Sequence, residues 1–309
     1  MEGAYYNGQY LNRLERLGYS QAEIDNKLES TFEEMFYGPE GVRLCHCAGP
    51  DMMYIEDTGN HDVRTEGMSY AMMFCVQMNR QKEFDCLWRW VVTHMYLTEG
   101  ENAGYFAWSC HTDGSKNSDG PAPDGEEFFA MSLFFAANRW GSGEGVLDYA
   151  SWARRILHAC VHKGEEAGSG FPMWNPENHL IKFVPNCEFT DPSYHLPHFY
   201  ELFALWSDEC DRPFWHAAAA ASRQYLRKAC HARTGLSAEY AEYDGRPHRG
   251  DQPDRHDWFF SDAYRTLGNI ALDAQWFGDK DGWAQEKAAH IQQFFEEKEH
   301  GQTNGIYLI

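Results

Sequence analysis

DGEEFFAMSLFFAANRW, residues 124–140, predicts a helix with almost no polar side after its acidic start. Apolar residues occupy nearly its whole circumference, and Gly141 is a typical helix end. A helix that is apolar all round is buried inside a large protein. The stretch from Leu147 to His162 is amphipathic, with Arg154 and Arg155 on its polar side. It therefore predicts a second helix that packs on the buried one and faces solvent.

This couplet of a buried helix and a half-buried helix occurs four times, with a period of about 65 residues. The predicted buried helices span residues 66–78, 124–140, 191–206 and 261–276, and the predicted outer helices span 83–97, 147–162, 213–230 and 281–297. Four such couplets predict an all-α fold, a toroid with inner and outer helices. Long loops such as 98–123 and 231–260 are expected to lie on one face and to carry function.

Composition excludes several classes of partner. The chain has 309 residues and a formal net charge of −21, which repels phosphate backbones and anionic lipids, so we expect no nucleic-acid and no membrane partner. No run of about 18 apolar residues predicts a membrane span. The N-terminus shows no secretion signal, and nine scattered cysteines are typical of free thiols in a reducing cytoplasm. We expect one catalytic domain over residues 1–309 in that compartment.

The sequence predicts no metal site and no cofactor. Cys45, His46 and Cys47 form a cluster, but no second ligand pair follows at the spacing of a zinc site. The stretch 113–124 is a poor match to a calcium loop, because it lacks glycine at the sixth place and glutamate at the last.

Carboxylates stand at the starts of all four predicted inner helices: Glu66, Asp124, Asp191 and Asp262. Acids favour the first turn of any helix, and for Asp191 capping alone is the favoured interpretation. The other helices are too apolar to be ordinary surface elements, so a ring of them would direct several acids into one cleft. Such a cleft suits glycoside hydrolysis, in which one protonated carboxyl donates a proton and one carboxylate activates water or attacks carbon.

At these residues the chain resembles a known family. RTEGMSYAMM (64–73), APDGEEFFAMSLFFA (122–136), TDPSYHLPHFYELF (190–203) and FFSDAYRT (259–266) together look like the inverting glycosidases of glycoside hydrolase family 8. Within the family, the likeness is to enzymes that release xylose from the reducing end of xylo-oligosaccharides. The resemblance implies an (α/α)6 barrel and a xylo-oligosaccharide substrate. It also implies that further barrel should follow residue 309, so we expect a C-terminally truncated barrel.

The resemblance also implies residue roles. Glu66 matches the general acid, and Asp262 matches the general base. Asp124 matches the acid that holds the sugar in its distorted form at the cleavage subsite. Tyr194 and Arg265 match the groups that hold the attacking water. Inversion predicts a separation of roughly 6.5–9.5 Å between the two catalytic carboxyls.

Three further residues are candidates for substrate binding. Trp108, in a long loop, resembles a platform on which a pyranose stacks. Arg64 and His61 either contact sugar hydroxyls or neutralise the acid cluster, and the sequence leaves both roles open.

Other functions also fit the pattern. One is an endo-acting family 8 hydrolase on xylan, β-glucan or chitosan. Another is a sugar epimerase on an α-toroid, which is disfavoured because no histidine stands where the acids do. The third is a catalytically inactive sugar-binding protein. The sequence predicts no oligomeric state.

Overall fold

The computed structural model describes residues 2–166, 168–250, 255–299 and 306–308. The chain divides into two compact units. We call Tyr10–Leu157 the N-terminal unit, and Met1–Gln9 together with His158–Ile309 the C-terminal unit. The single catalytic domain expected from the sequence stays a prediction. Within the described residues, no helix is both long enough and apolar enough to cross a membrane.

Helices dominate both units. The α-helices are α1 (Ala4–Asn7), α2 (Arg13–Arg16), α3 (Gln21–Tyr37), α4 (Thr65–Gln77), α5 (Gln81–Trp90), α6 (Pro123–Trp140), α7 (Tyr149–His162), α8 (Pro197–Trp206), α9 (Arg212–Ala229), α10 (Arg265–Phe277) and α11 (Trp283–Glu299). The strands are β1 (Cys45–Cys47), β2 (Met53–Ile55), β3 (Asp62–Arg64) and β4 (Ser109–His111). Strand β1 pairs antiparallel with β2, and β3 pairs antiparallel with β4, with Val63 opposite Cys110.

The predicted helices are present, and three of the four predicted couplets are seen as packed pairs within one unit: α4 with α5, α8 with α9, and α10 with α11. The first outer helix ends earlier than expected, because α5 passes at Val91 into a π-helical turn that ends at Met95. Helix α3 begins with a capping box, in which Ser20 and Glu23 each accept the backbone N–H of the other.

Two inner helices begin later than the sequence suggested. Asp191 caps a single 3-10 turn, Pro192–Tyr194, and α8 starts only at Pro197. The residue before a proline avoids the helical region, and Leu196 accordingly has φ −117° and ψ 64°. Likewise Asp262 lies in a 3-10 turn, Ser261–Tyr264, that leads directly into α10.

A close approach of α4 and α6 organises the N-terminal unit. Gly125, in the first turn of α6, faces Thr65 at the start of α4, and a Cβ atom on Gly125 would lie 2.5 Å from that of Thr65. Only glycine permits this contact, since atoms cannot approach so closely. The two helix starts that carry Glu66 and Asp124 are thereby brought together.

An arginine ties three helices of the C-terminal unit. Arg223 of α9 donates to both carboxylate oxygens of Asp273 on α10, at 2.7 and 2.9 Å, and to Glu201 on α8 at 2.5 Å. The planar guanidinium suits this fork geometry. This pairing holds α10 against α8. Helix α10 follows Asp262, the predicted base, and α8 follows the turn that carries Tyr194.

Candidate active site

The first cluster of acids is built where β3 runs into α4. Arg64 ends the strand and precedes the helix, and Glu66 lies in the first helical turn, half-buried. Arg64 Nε lies 3.0 Å from Asp62 Oδ1 and 3.3 Å from Asp57 Oδ2. Asp62 is itself buried and accepts a 2.9 Å hydrogen bond from Ser109 on the paired strand β4. The pairing of β3 with β4 therefore holds Arg64 in place just before Glu66.

Glu66 shares its surroundings with two acids of α6. Glu126 is fully buried, and its Oε1 accepts the backbone N–H of Phe106 at 2.9 Å. Burial raises the pKa of Glu126 well above its usual range, and the charges of Asp124 and Glu66 raise it further. Glu126 is therefore neutral where an exposed glutamate would be ionised. The sequence analysis missed it, because an acid after Asp124 at a helix start is well explained as a complement to the helix dipole.

Trp108 lies beside this cluster. Its carbonyl accepts the N–H of Thr65 at 3.0 Å, and its ring is half-exposed. The Arg64 guanidinium carbon lies 5.2 Å from the ring centroid, within the range of a cation–π contact. His61 is 78% exposed and its Nδ1 lies 2.9 Å from Glu56 Oε1. Both side chains thus already contact carboxylates, which favours the neutralising role that the sequence left open.

A second cluster, in the C-terminal unit, surrounds Asp262. Arg265 Nη2 lies 3.0 Å from Asp262 Oδ2, and the guanidinium carbon lies 5.6 Å from the ring centroid of Tyr194. The Asp262 side chain is 39% exposed. The structure therefore brings together three of the predicted residues, a carboxylate, its arginine and a tyrosine.

Asp191 belongs to the same cluster. Its Oδ1 accepts the N–H of Ser193 at 2.6 Å, so the capping role predicted for it is present. It is also 1% exposed, and burial raises its pKa well above the usual range; Arg265 opposes this effect and Asp262 adds to it. One guanidinium therefore interacts with two carboxyls in different solvent environments.

Buried polar contacts fix the turn that carries Tyr194. His195 is fully buried, with Nε2 at 3.0 Å from Thr190 Oγ1 and Nδ1 at 2.8 Å from Ser222 Oγ on α9. Burial lowers the pKa of His195 to about 3, so the ring is neutral at physiological pH. Asn269 of α10 donates to the carbonyl of Ser193 at 2.7 Å. These bonds hold the turn against α9 and α10.

Glu239 is a second residue that the sequence analysis missed. It is 4% exposed, its Oε2 lies 2.6 Å from His256 Nδ1, and it also bonds the side chain of Ser261. Burial raises its pKa, His256 lowers it, and Asp262 raises it. Ser261 has φ +43°, a strained value for a non-glycine residue. Glu239 thus supports a strained residue that directly precedes Asp262, and no local motif marked it.

These arrangements supply two kinds of carboxyl. Glu66 lies near the buried Glu126, whose pKa is raised, whereas Asp262 pairs with the guanidinium of Arg265. Acid–base hydrolysis of a glycosidic bond requires two carboxyls, one that donates a proton and one that accepts it. A mainly helical chain with these two carboxyl clusters fits the glycoside hydrolase class.

Comparison with known proteins gives the particular family. The family model described as "Glycosyl hydrolases family 8" matches residues 19–306. The chain is 55% identical over 299 residues to the reducing end xylose-releasing exo-oligoxylanase of Halalkalibacterium halodurans, covering 96% of this chain and 76% of that one. It is 56% identical over 298 residues to the reducing-end xylose-releasing exo-oligoxylanase Rex8A of Paenibacillus barcinonensis, covering 95% and 77%. This chain belongs to glycoside hydrolase family 8.

A solved structure of a relative supports the same family and fold. That of Rex8A from Paenibacillus barcinonensis complexed with xylose matches with a TM-score of 0.93 at 55% identity, covering 96% of this chain and 78% of that one. The expected fold class, the all-helical (α/α)6 barrel of the family, is confirmed. The roles assigned to single residues stay predictions.

Proposed function

We propose that this chain is an inverting glycoside hydrolase that releases xylose from the reducing end of xylo-oligosaccharides by hydrolysing β-1,4-xylosidic bonds. The main support for this proposal is that the chain is 55–56% identical, over 95–96% of its length, to two reducing-end xylose-releasing exo-oligoxylanases. The substrate comes from those relatives, whereas the chemistry is supported by the two carboxyl clusters.

In this proposal Glu66 is the general acid. It gives its proton to the oxygen that leaves with the terminal xylose, so that no alkoxide forms. Asp124 and Glu126 of α6 share the surroundings of Glu66, and the charges of Asp124 and Glu66 add to the raised pKa of the buried Glu126. Asp124 holds the sugar at the cleavage subsite in its distorted form.

Asp262 is the general base. It takes a proton from the water that attacks the anomeric carbon on the face opposite the leaving group, which inverts the configuration. Arg265 pairs with Asp262, and Arg265 and Tyr194 hold the water. The separation of roughly 6.5–9.5 Å between the two catalytic carboxyls, which leaves room for this water, stays a prediction.

Trp108 is the proposed stacking platform for one xylose ring. Arg64 contacts the indole, and this contact keeps the ring in one orientation. Arg64 and His61 border the acid cluster. We assign them first to balancing its charge and second to contacting sugar hydroxyls.

Because Trp108 serves as a platform for the substrate, replacing Trp108 by Ala should raise KM more than it lowers kcat.

We infer a cytoplasmic location. None of the nine cysteines, all of which are among the described residues, forms a disulfide bond, and six of them are buried, as is typical of proteins from a reducing compartment. Fractionation of source cells, with a cytoplasmic enzyme as marker, tests this. Recovery with the extracellular fraction would contradict it.

The test of the activity is hydrolysis of xylotriose and xylotetraose carrying a ¹³C label at the reducing-end anomeric carbon. We expect labelled xylose and an unlabelled oligosaccharide shorter by one unit. NMR at early times should show the new reducing end of that oligosaccharide as the α-anomer. Unlabelled xylose, cleavage in the interior, or a β-anomer would each contradict the proposal.

Substitutions of Glu66 and Asp262 test their proposed catalytic roles. Glu66→Gln and Asp262→Asn should each lower kcat by roughly 10²–10⁴-fold, the usual contribution of general acid–base catalysis. Glu101→Gln, an exposed acid in the loop before Trp108, is the matched control and should keep full activity. Equal activity of Glu66→Gln and Glu101→Gln would remove Glu66 from the mechanism.

A further inference from the structure

Two histidines and an aspartate of the C-terminal unit, which belong to neither carboxyl cluster, converge. His158 and His162 are four residues apart on α7, so their side chains lie on one face of the helix, and their ring centroids are 4.3 Å apart. His162 Nε2 lies 2.7 Å from Asp211 Oδ1, and His158 Nδ1 lies 3.7 Å from Asp211 Oδ2. One potential ligand atom from each of the three residues lies within 4.8 Å of the others.

Through its Oδ1, Asp211 pairs with His162 Nε2 at 2.7 Å and accepts a hydrogen bond from the Cys210 thiol at 3.3 Å. It stands at the N-cap position of α9, yet its carboxylate caps no backbone N–H there. It is 2% exposed, and its buried Oδ2 has no hydrogen-bond partner among the described residues. A buried carboxylate oxygen without a donor costs stability unless a cation compensates it. This oxygen lies 3.7 Å from His158 Nδ1.

We propose that His158, His162 and Asp211 bind a divalent transition metal of the zinc class. Two imidazole nitrogens and one carboxylate form a donor set that suits Zn²⁺ and its neighbours rather than Mg²⁺ or Ca²⁺, which prefer oxygen ligands. Ligand atoms of a tetrahedral zinc site lie about 3.3 Å apart for bonds of about 2.0 Å. The distance of 2.7 Å from His162 is to Asp211 Oδ1 and that of 3.7 Å from His158 is to Asp211 Oδ2, so side-chain rotation is needed to bring the three donors to one metal ion.

Glu165 supports the assignment. Its Oε1 lies 2.6 Å from His162 Nδ1, the ring nitrogen that the proposed metal does not use. A carboxylate on the second nitrogen orients a metal-binding histidine and makes it a better ligand. His162 thus has the partners of a metal ligand on both ring nitrogens.

The proposed site has an open side. The His158 side chain is 57% exposed, so water completes the coordination there. Bound metal would connect the end of α7 to the start of α9, which are 49 residues apart in the chain at His162 and Asp211. Its effect is therefore on the stability of the fold, because a ligand that binds only the folded state stabilises it. The sequence analysis did not recognise the site, since Asp211 is far from the two histidines in sequence.

The test uses the full chain after removal of metal with a chelator and dialysis. Titration with ZnCl₂ should give saturable binding of one Zn²⁺ per chain, with a rise in the thermal midpoint. Co²⁺ in place of Zn²⁺ should give visible absorption of a nitrogen and oxygen site without a thiolate charge-transfer band. No saturable binding, or a thiolate band, would overturn the proposal.

Substitutions at the proposed ligands test whether the metal binds at this site. Glu165→Gln should weaken binding by roughly 10–100-fold, the usual cost of losing an outer partner, and His158→Ala should weaken it more. His216→Ala is the matched control, since His216 is 60% exposed and its Nδ1 lies 3.6 Å from a carboxylate oxygen of Glu201. It should bind Zn²⁺ as the wild type does. Equal affinity of His158→Ala and His216→Ala would show that the metal binds elsewhere.

Discussion

Glu126 shows how burial alone sets the state of an acid. It is a glutamate in an apolar helix, with one oxygen bonded to a backbone N–H and the other without a partner among the described residues. Its pKa is raised, first by burial and then by Asp124 and Glu66. The folded state therefore binds a proton at pH values where the unfolded chain has released it.

The sign of the pH dependence follows from this raised pKa. The stabilising effect of the bound proton is full below the unfolded pKa of about 4.3 and is lost as the pH rises toward the folded pKa. Glu126→Gln stays neutral and keeps an oxygen for the Phe106 N–H. We expect its free energy of unfolding to fall less than that of the wild type between about pH 4.5 and 8, by about 1.4 kcal/mol for each unit of pKa shift removed.

Urea denaturation at several pH values measures this difference. Glu101→Gln, an exposed acid of the same unit, is the control and should follow the wild-type profile. A Glu126→Gln variant that loses stability at all pH values equally would mean that Glu126 is ionised in the folded protein.

Glu239 is expected to act by positioning Asp262. It bonds the strained Ser261, which precedes the proposed base. Glu239→Ala should lower kcat on xylotriose by roughly 10–100-fold with little change in KM, because a small misplacement of a catalytic group costs that much. Glu239→Gln keeps an acceptor for the Ser261 hydroxyl and should restore most of the rate. If both variants lose activity alike through KM, the residue binds substrate instead.

At the scale of elements, the start of α6 is held against the start of α4 by Gly125. Gly125→Ala would place a methyl group 2.5 Å from Thr65 Cβ, so the two helix starts must separate. We expect a loss of about 1–3 kcal/mol in the free energy of unfolding, as is typical of overpacking, together with lower kcat, because Glu66 and Asp124 lie on these two starts.

The control for this change is Gly268→Ala in α10. Gly268 is exposed and helical, and apart from its chain neighbours and its own helix backbone, no atom of the described residues lies within 4 Å of the position of a Cβ atom there. We expect a gain of roughly 0.5–1 kcal/mol, because alanine restricts the unfolded chain. A Gly125→Ala variant as stable as the wild type would contradict the close helix contact.

The helices and the acids at their starts were largely predictable, because both depend on local patterns. Apolar periodicity marked the helices α4, α6 and α9, and the motifs marked Glu66, Asp124 and Asp262. The beginnings of α8 and α10 were predicted too early. A first turn in 3-10 geometry has nearly the same composition as an α-helical turn, and the prolines at 192 and 197 allow two separate starts.

For the whole molecule, net charge is the dominant electrostatic property. A formal charge of −21 on 309 residues repels itself in the compact state. We expect the thermal midpoint to rise when ionic strength increases from about 0.01 to 0.15 M, since the Debye length falls from about 30 to 8 Å. NaCl and choline chloride should act alike, because screening does not depend on the ion. A falling midpoint would mean that attractive ion pairs dominate.

The sequence by itself determined the all-helical class, the family and the identity of the acids, because periodicity and short motifs are properties of neighbouring residues. Only the tertiary structure decided which acids are neutral, since the pKa of Glu126 or Asp191 depends on burial and on charges brought from elsewhere in the chain. Only folding brings Glu239 into contact with Ser261, and Asp211 close to His158 and His162. These partners are 22 and 49 or more residues apart, and no local pattern encodes contacts made by folding over such distances.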